Sequence, residues 1–259
     1  MNPREATRDR RMEVVRLVRS GINRVEALAE RLSTSTSTIR RDLSALERTG
    51  QLARTYGGAT SLAPYQERAL AERMSMNTRA KAAIGSVAAS LVPPGATIFV
   101  DAGSTTAHLI DNLRGSSGLT VVTRGLEIAL SLAEEDGIDV IVVGGHLSRN
   151  SHGTAGALAS DALRRFTFDV SFLGADAVDP RDGVGEPTVE EALTKEQVAQ
   201  RSSRTAVLAD SSKLEARQVP AWATLPTGWT LITDARDKKI VKAFENAGVS
   251  VTSVTSQRS

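Results

Sequence analysis

The sequence predicts an α/β protein in two parts: a small helical head with a hairpin, then a larger domain built on a mainly parallel sheet. Three observations carry this. Charge divides near residue 60, the first sixty residues show helical periodicity followed by a Gly-Gly hairpin, and the remainder alternates strand-like with helix-like runs.

Residues 1–60 hold 12 Lys or Arg against 7 Asp or Glu, and residues 61–259 hold 20 against 23, so a net charge of +2 conceals +5 and −3. A cationic head on an acidic domain is the balance expected of a nucleic-acid module joined to an effector domain, although a solvated basic surface has the same balance. With 41% hydrophobic and 24% charged residues, and no apolar run near the roughly 18 residues a membrane span needs, a soluble protein without membrane partners is expected. The opening MNPREATRDRRMEVV lacks the apolar core of a signal peptide, which points to the cytoplasm. There is no cysteine, hence no disulfide and no thiolate chemistry.

A first helix is predicted from about Asp9 to Ser20, with Val14, Leu17 and Val18 on one face and Gly21 as its stop. A second carries Val25, Leu28, Ala29 and Leu32 at i, i+3, i+4 and i+7. Ser33-Thr34 then forms the turn, and Ser35 is the expected N-cap of a third helix. In TIRRDLSALERTG, Thr38 to Gly50, the residues Ile39, Leu43 and Leu46 share a narrow arc. Ser37, Arg41, Ser44 and Arg48 project from the opposite side, with Arg40 on the flank.

Two helices around a tight turn, the second exposing Ser, Thr and Arg near its start, form a helix-turn-helix, whose second helix enters the major groove. Arginine forks onto guanine or phosphate, and the hydroxyls do either job more weakly. QLARTYGGAT follows as a β-wing that carries Arg54 and Tyr56 and turns at Gly57-Gly58, where close approach to phosphates is possible. Duplex DNA is therefore the expected partner, contacted by Ser35, Thr36, Ser37, Thr38, Arg40, Arg41, Ser44, Arg48, Arg54, Tyr56 and Gly57. The bland alternative makes Arg40 and Arg41 a solvated face paired within the helix to Asp42 or Glu47.

This stretch, TSTSTIRRDLSALERTGQLARTYGGAT, resembles the N-terminal winged helix of the DeoR family of bacterial transcription regulators. The likeness rests on IRRDL, the Leu-x-x-Leu spacing, the glycine after the helix and the Gly-Gly wing. Ser33 stands where that family usually has glycine, Thr34 where it has a small apolar residue, and Tyr56 where it has histidine.

Residues 61–75, broken by Pro64, are expected to link the 1–60 head to a domain spanning 76–259. Seven strands are predicted there: Thr97 to Val100, Leu119 to Val122, Val140 to Val143, Val170 to Leu173, Thr205 to Leu208, Trp229 to Ile232, and Val249 to Val254. Helical patterns separate most of them, the signature of a parallel sheet covered on both faces. Ligands of such sheets bind beyond the carboxyl ends of the strands, here at Asp101, Thr123, Gly144, Asp176 and Asp210. In DAGSTTAHL, Gly103 permits a tight turn, and Ser104, Thr105 and Thr106 open the next helix, where amides and hydroxyls suit a phosphate; simple N-capping by Ser104 or Thr105 is the alternative. The loop is neither a Walker loop nor a dinucleotide fingerprint.

Four further segments are candidates: VVGG with Gly144, Gly145 and His146; FLGADAVD; TVEEALTKEQ; and ADSSK ending at Lys213. Each also has a structural explanation as a turn, a loop cap or a solvated helix face. They too resemble the DeoR family, whose C-terminal domain shares the fold of ribose-5-phosphate isomerase, glucosamine-6-phosphate deaminase and the coenzyme A transferases. The resemblance implies a winged helix-turn-helix joined to a mainly parallel α/β sensor domain for a phosphorylated sugar. It assigns Gly103, Ser104, Thr105 and Thr106 to phosphate, Asp101, Asp176, Lys195 and Lys213 to polar contacts, and includes Gly144 and Gly145. Arg124, where many relatives have asparagine, adds a cation or alters selectivity.

The rival expectation is a sugar-phosphate isomerase with an accessory DNA-binding head. Isomerisation needs a carboxylate placed to move a proton. Where ribose-5-phosphate isomerase has DGAD, this chain has Leu173-Gly174-Ala175-Asp176, lacking one acid, so binding without turnover is favoured unless Glu190 or Glu191 substitutes. No catalytic residue, metal or cofactor is expected, since His108, His146 and His152 match no simple ligand spacing. The expectation is an oligomeric repressor of carbohydrate-metabolism genes, dimer or tetramer, relieved by its ligand.

Overall fold

The computed structural model describes residues 3–19, 22–49, 52–55, 57–61, 65, 67–214 and 219–254. The chain forms two compact units, Met1–Tyr65 and Gln66–Ser259.

The first unit contains α1 (Pro3–Arg19), α2 (Val25–Arg31), α3 (Thr36–Arg48), β1 (Leu52–Thr55) and β2 (Gly58–Ser61). The three apolar stripes meet as one core of Val14, Leu17, Val18, Val25, Leu28, Ile39, Leu43 and Leu46, closed by Leu52. Helix α1 starts at Pro3 rather than near Asp9, since proline at a first helical position costs no hydrogen bond and the following residues are good helix formers. That extension has a use: Arg10 and Arg11 donate to the two carboxylate oxygens of Asp42 at 2.6 and 2.9 Å, and Asp42 is buried. The carboxylate the bland alternative placed within α3 thus ties α3 to α1.

In the turn, Ser33 sits at φ 47°, the left-handed region in which glycine alone is unstrained, at a cost of about 1 kcal/mol. Thr34 N–H donates to the Ala29 carbonyl at 2.9 Å and closes the end of α2. Strands β1 and β2 pair antiparallel from Leu52↔Ser61 to Thr55↔Gly58, so the hairpin turns on two residues, the second being Gly57 at φ +84°. The expectation for the glycine pair needs correcting at Gly58. A Cβ there would meet the Asn23 carbonyl oxygen at 2.0 Å, so its missing side chain serves packing within the unit.

The second unit begins with α4 (Leu70–Met74) and α5 (Thr78–Ala89), followed by β3 (Thr97–Val100), α6 (Ser104–Ile110), β4 (Leu119–Thr123), α7 (Leu126–Leu132) and β5 (Ile138–Val142). A small hairpin β6 (His146–Leu147) and β7 (Thr154–Ala155) leads to α8 (Ala157–Leu163) and β8 (Phe168–Leu173). Then come β9 (Ala177–Asp179), β10 (Gly183–Glu186), α9 (Val189–Gln200), β11 (Ser202–Leu208), β12 (Ala221–Ala223), β13 (Thr230–Thr233), α10 (Lys238–Asn246) and β14 (Ser250–Ser253). The expected linker is corrected here: residues 67–75 belong to this unit, because Leu70 is buried in it.

Seven strands form one sheet in the order β14-β13-β11-β8-β3-β4-β5. Every pairing in it is parallel. Alternate side chains feed two cores: Phe99, Val122 and Val207 pack with α8, α9 and α10, whereas Ile98, Val100, Val121 and Phe172 pack with α5, α6 and α7. Burial on both faces explains why these strands read as continuous apolar runs. All seven expected strands are present, with ends shifted by a residue or so in most cases and extended at β8 and β11. A second sheet, β12-β10-β9, is antiparallel and was not expected from its short glycine-bearing sequences.

The strand order locates a crevice. The chain progresses from β3 outward through β4 to β5, then crosses to the other side of β3 and continues through β8, β11 and β13. The carboxyl ends of β3 and β8 therefore diverge at a topological switch point, the place where such sheets bind ligands.

Candidate functional site

On α3 the sequence pattern is realised. Ser35 is the N-cap, its Oγ accepting the Thr38 N–H at 3.1 Å, so this hydroxyl primarily holds the helix start. Ile39, Leu43 and Leu46 face the core, while Ser37, Arg40, Arg41 and Arg48 are exposed, and Thr36, Thr38 and Ser44 are half-buried. Ser44 Oγ donates to the Arg40 carbonyl at 3.0 Å, and Arg48 Nε donates to the Ser44 carbonyl at 3.3 Å. No acidic residue stands in the first turn, which leaves the positive end of the dipole unopposed. Gly57 is exposed at the wing tip. Arg54 lies on β1 with its side chain outside the described residues, and Tyr56 lies outside them altogether.

At the switch point, Asp101 follows β3 and Gly174 follows β8. Asp101 N–H donates to the Phe172 carbonyl at 3.0 Å, and Gly174 N–H to the Asp101 carboxylate at 3.1 Å. Asp101 is wholly buried and also accepts from Arg124 Nε at 2.5 Å and Lys195 Nζ at 2.9 Å. Arg124 reaches the Thr154 carbonyl at 3.3 Å and Glu191 at 3.4 Å. Lys195 also donates to the Gly174 carbonyl at 2.8 Å and to Glu186. Ionised groups this deep survive only when paired and hydrogen-bonded, and this cluster is both.

Burial alone would raise Asp101, but the Arg124 and Lys195 charges outweigh it and hold the carboxyl below its usual range. Burial would likewise lower Lys195 and Arg124, and their carboxylate neighbours keep both raised. Burial pushes Glu186 up to about 8, assisted by Asp176 and Asp101 and only partly offset by Lys195. A neutral Glu186 leaves two cations, Arg124 and Lys195, against two carboxylates, Asp101 and Glu191.

This has a measurable consequence. Unfolded, Glu186 releases its proton near 4.5, but folded it keeps it to about 8, so the folded state holds the extra proton between these values and loses stability as pH rises. Glu186→Gln keeps a carbonyl for Lys195 and removes the titration. We expect it to recover roughly a few kcal/mol at pH 8 relative to pH 5. Urea unfolding at pH 5, 6.5 and 8 measures this, and identical pH profiles for variant and wild type would refute the assignment.

Above the cluster opens a small cleft lined by Gly103, Ser104, Thr105, Arg124, Ser151, Asp176, Glu186, Glu191, Lys195 and Lys213, with Glu67 and Arg73. Lys213 Nζ donates to Asp176 at 3.1 Å. Of the expected effector residues, Gly103, Ser104, Thr105, Arg124, Asp176, Lys195 and Lys213 are brought together here. Four are corrected. Asp101 lies beneath the cleft as the anchor of its cations. Thr106 is buried, its hydroxyl donating to the Asp101 and Gly103 carbonyls at 2.7 and 2.9 Å, so it shapes the loop. Gly144 and Gly145 are exposed at the entry to β6 and off the cleft wall. Arg124 lines the cleft and is at the same time tied to the carboxylates of Asp101 and Glu191.

Sequence reasoning missed Glu67, Arg73, Ser151 and Glu186, and gave Glu191 only as a substitute acid. Glu190 is exposed and off the cleft. Glu191 is buried, accepting from Ser151 Oγ at 3.2 Å and Thr188 Oγ1 at 3.0 Å. Its one sequence signal was the Thr-x-x-Glu capping box opening α9, in which the Glu191 N–H donates to Thr188 at 3.2 Å.

Two family models match. The DeoR-like helix-turn-helix domain covers residues 10–64, and the DeoR C terminal sensor domain covers residues 76–235. This chain belongs to the DeoR family of transcriptional regulators. The uncharacterized HTH-type transcriptional regulator YulB of Bacillus subtilis is 36% identical over 95% of this chain and 96% of its own. The lactose phosphotransferase system repressor of Lactococcus lactis is 30% identical over 81% and 84%. Among solved structures, ribose 5-phosphate isomerase A of Neisseria gonorrhoeae is 23% identical over 53% of this chain and 54% of its own, with a TM-score of 0.40, a likeness too weak to bear on function. As a DeoR regulator, the chain carries its helix-turn-helix domain in the first unit and its sensor domain in the second.

Proposed function

We propose that this regulator is an operator-binding repressor of carbohydrate-metabolism genes whose second unit binds a phosphorylated sugar. The observation that carries the reading is the pairing of an outward arginine face on α3 with an anion-compatible loop at the switch point. The amides and hydroxyls at Ser104 and Thr105 take the phosphate, while Asp176, Lys195 and Lys213 address the sugar. The protein acts in the cytoplasm as a dimer or tetramer and sets its heads on half-sites about 34 Å, or a multiple, apart. Binding without turnover is supported by Leu173, an apolar residue at a position where proton transfer would need an acid. Ligand binding changes the relative placement of the heads and releases the operator.

Gel shifts of the full chain on operator and scrambled duplexes, with and without a panel of sugar phosphates, test this. Arg41→Ala should cost roughly 1–3 kcal/mol at one base pair if Arg41 reads guanine, or weaken all duplexes alike if it grips phosphate. Unchanged binding to both duplexes would defeat the DNA assignment. Isomerase turnover at ordinary enzymatic rates on a binding sugar phosphate would defeat the regulatory one.

A further inference from the structure

The cleft of the second unit is small, about 20 Å³, and four cations line it. Three of its four cations are firmly held. Arg124 and Lys195 lie within the buried carboxylate cluster, and Lys213 donates to Asp176.

Arg73 differs. It comes from the five-residue α4 and pairs with Glu67 at 3.0 Å, and its Nη2 donates to the Asn150 carbonyl at 3.1 Å. Its Nη1 stands 3.8 Å from Asp176, beyond a hydrogen bond. Its Nε is buried with no hydrogen-bond partner, the only such side-chain atom on the cleft wall among the described residues. A buried guanidinium donor without an acceptor is costly, and an incoming oxyanion would satisfy it.

The carboxylate that does pair with Arg73 is a poor partner. Its side chain is 7% exposed, and burial together with Asp176 raises Glu67 to about 7, so near neutrality part of its charge is lost.

Building on the sugar-phosphate reading of this cleft, we infer that Arg73 is a ligand-binding residue for the phosphorylated effector. Glu67 holds the effector's place on that guanidinium while the cleft is empty. The phosphate displaces the Glu67 carboxylate, takes Arg73 in bidentate fashion, and stays within reach of the Ser104–Thr105 loop because the cavity is so small. Since Glu67 follows the first residue of this unit, Gln66, the exchange acts on the segment through which the chain leaves the DNA-binding unit.

The two partners make opposite predictions, which a merely structural ion pair would not. Isothermal titration of the full chain with ribose 5-phosphate, glucose 6-phosphate, fructose 1-phosphate and inorganic phosphate gives the wild-type affinities. Arg73→Gln should then weaken the best probe roughly ten- to a hundredfold, Arg73→Lys should fall between, and Glu67→Gln should tighten it. Both variants shifting affinity the same way, or Arg73→Gln staying within about twofold of wild type, would overturn the inference. If Arg73→Gln fails to fold, as circular dichroism would show, Glu67→Gln decides alone, and unchanged or weaker binding overturns it. Loss of binding in Thr105→Val beside a silent Arg73→Gln would sink this inference and spare the site. Failure of every probe on wild type would sink both.

Discussion

Replacing Asp101 by alanine should destabilise the second unit by roughly 3–5 kcal/mol, the cost of removing one partner from a buried ion pair. Asp101 is wholly buried, joins Arg124 and Lys195, and receives the Gly174 N–H across the gap between β3 and β8. Its loss leaves one extra positive charge on buried side chains and also unties the two strand ends that form the cleft floor. Urea unfolding at pH 7 measures the loss. Adding Arg124→Met removes the stranded cation, so the double variant should be more stable than Asp101→Ala alone. A double variant no better than the single would show that the carboxylate acts through something other than charge pairing.

Leu43→Ala should abolish operator binding without touching the DNA-facing residues. Leu43 has no exposed surface and sits where α1, α2 and α3 meet. Truncating such a leucine costs roughly 2–5 kcal/mol, comparable with the whole stability of a unit of this size. Calorimetry of the full chain should show the transition of the first unit shifted far down or gone, and that of the second unchanged. Arg41→Ala should lose DNA as well but keep both transitions. If Leu43→Ala still bound operator with wild-type affinity, the three-helix core would not be what presents α3.

Much of the fold was legible because local chemistry and tertiary structure agree. Each head helix announces its buried face at a 3.6-residue spacing, and each central strand is apolar throughout because both its faces are covered. The disagreements are equally physical. Gly58 looked like a turn residue, yet the backbone of Asn23 is what excludes a side chain there. Arg124 looked like a ligand cation, and it also pairs with the carboxylates of Asp101, just after β3, and of Glu191 on α9. Residues 67–75 looked like linker, being polar, yet Leu70 is buried and Arg73 and Glu67 reach the cleft.

The sequence by itself determined the class of protein and the helix-turn-helix with its capped α3, since periodicity, capping and charge act within a few residues of one another along the chain. Only the tertiary structure decided which charges line the cleft and which lie sealed beneath it. Asp101, Arg124 and Glu186 come from separate segments and Glu191 and Lys195 from α9, and whether each is a ligand contact or a buried counter-charge depends on how far each lies from water and which opposite charge lies beside it, neither of which is encoded locally.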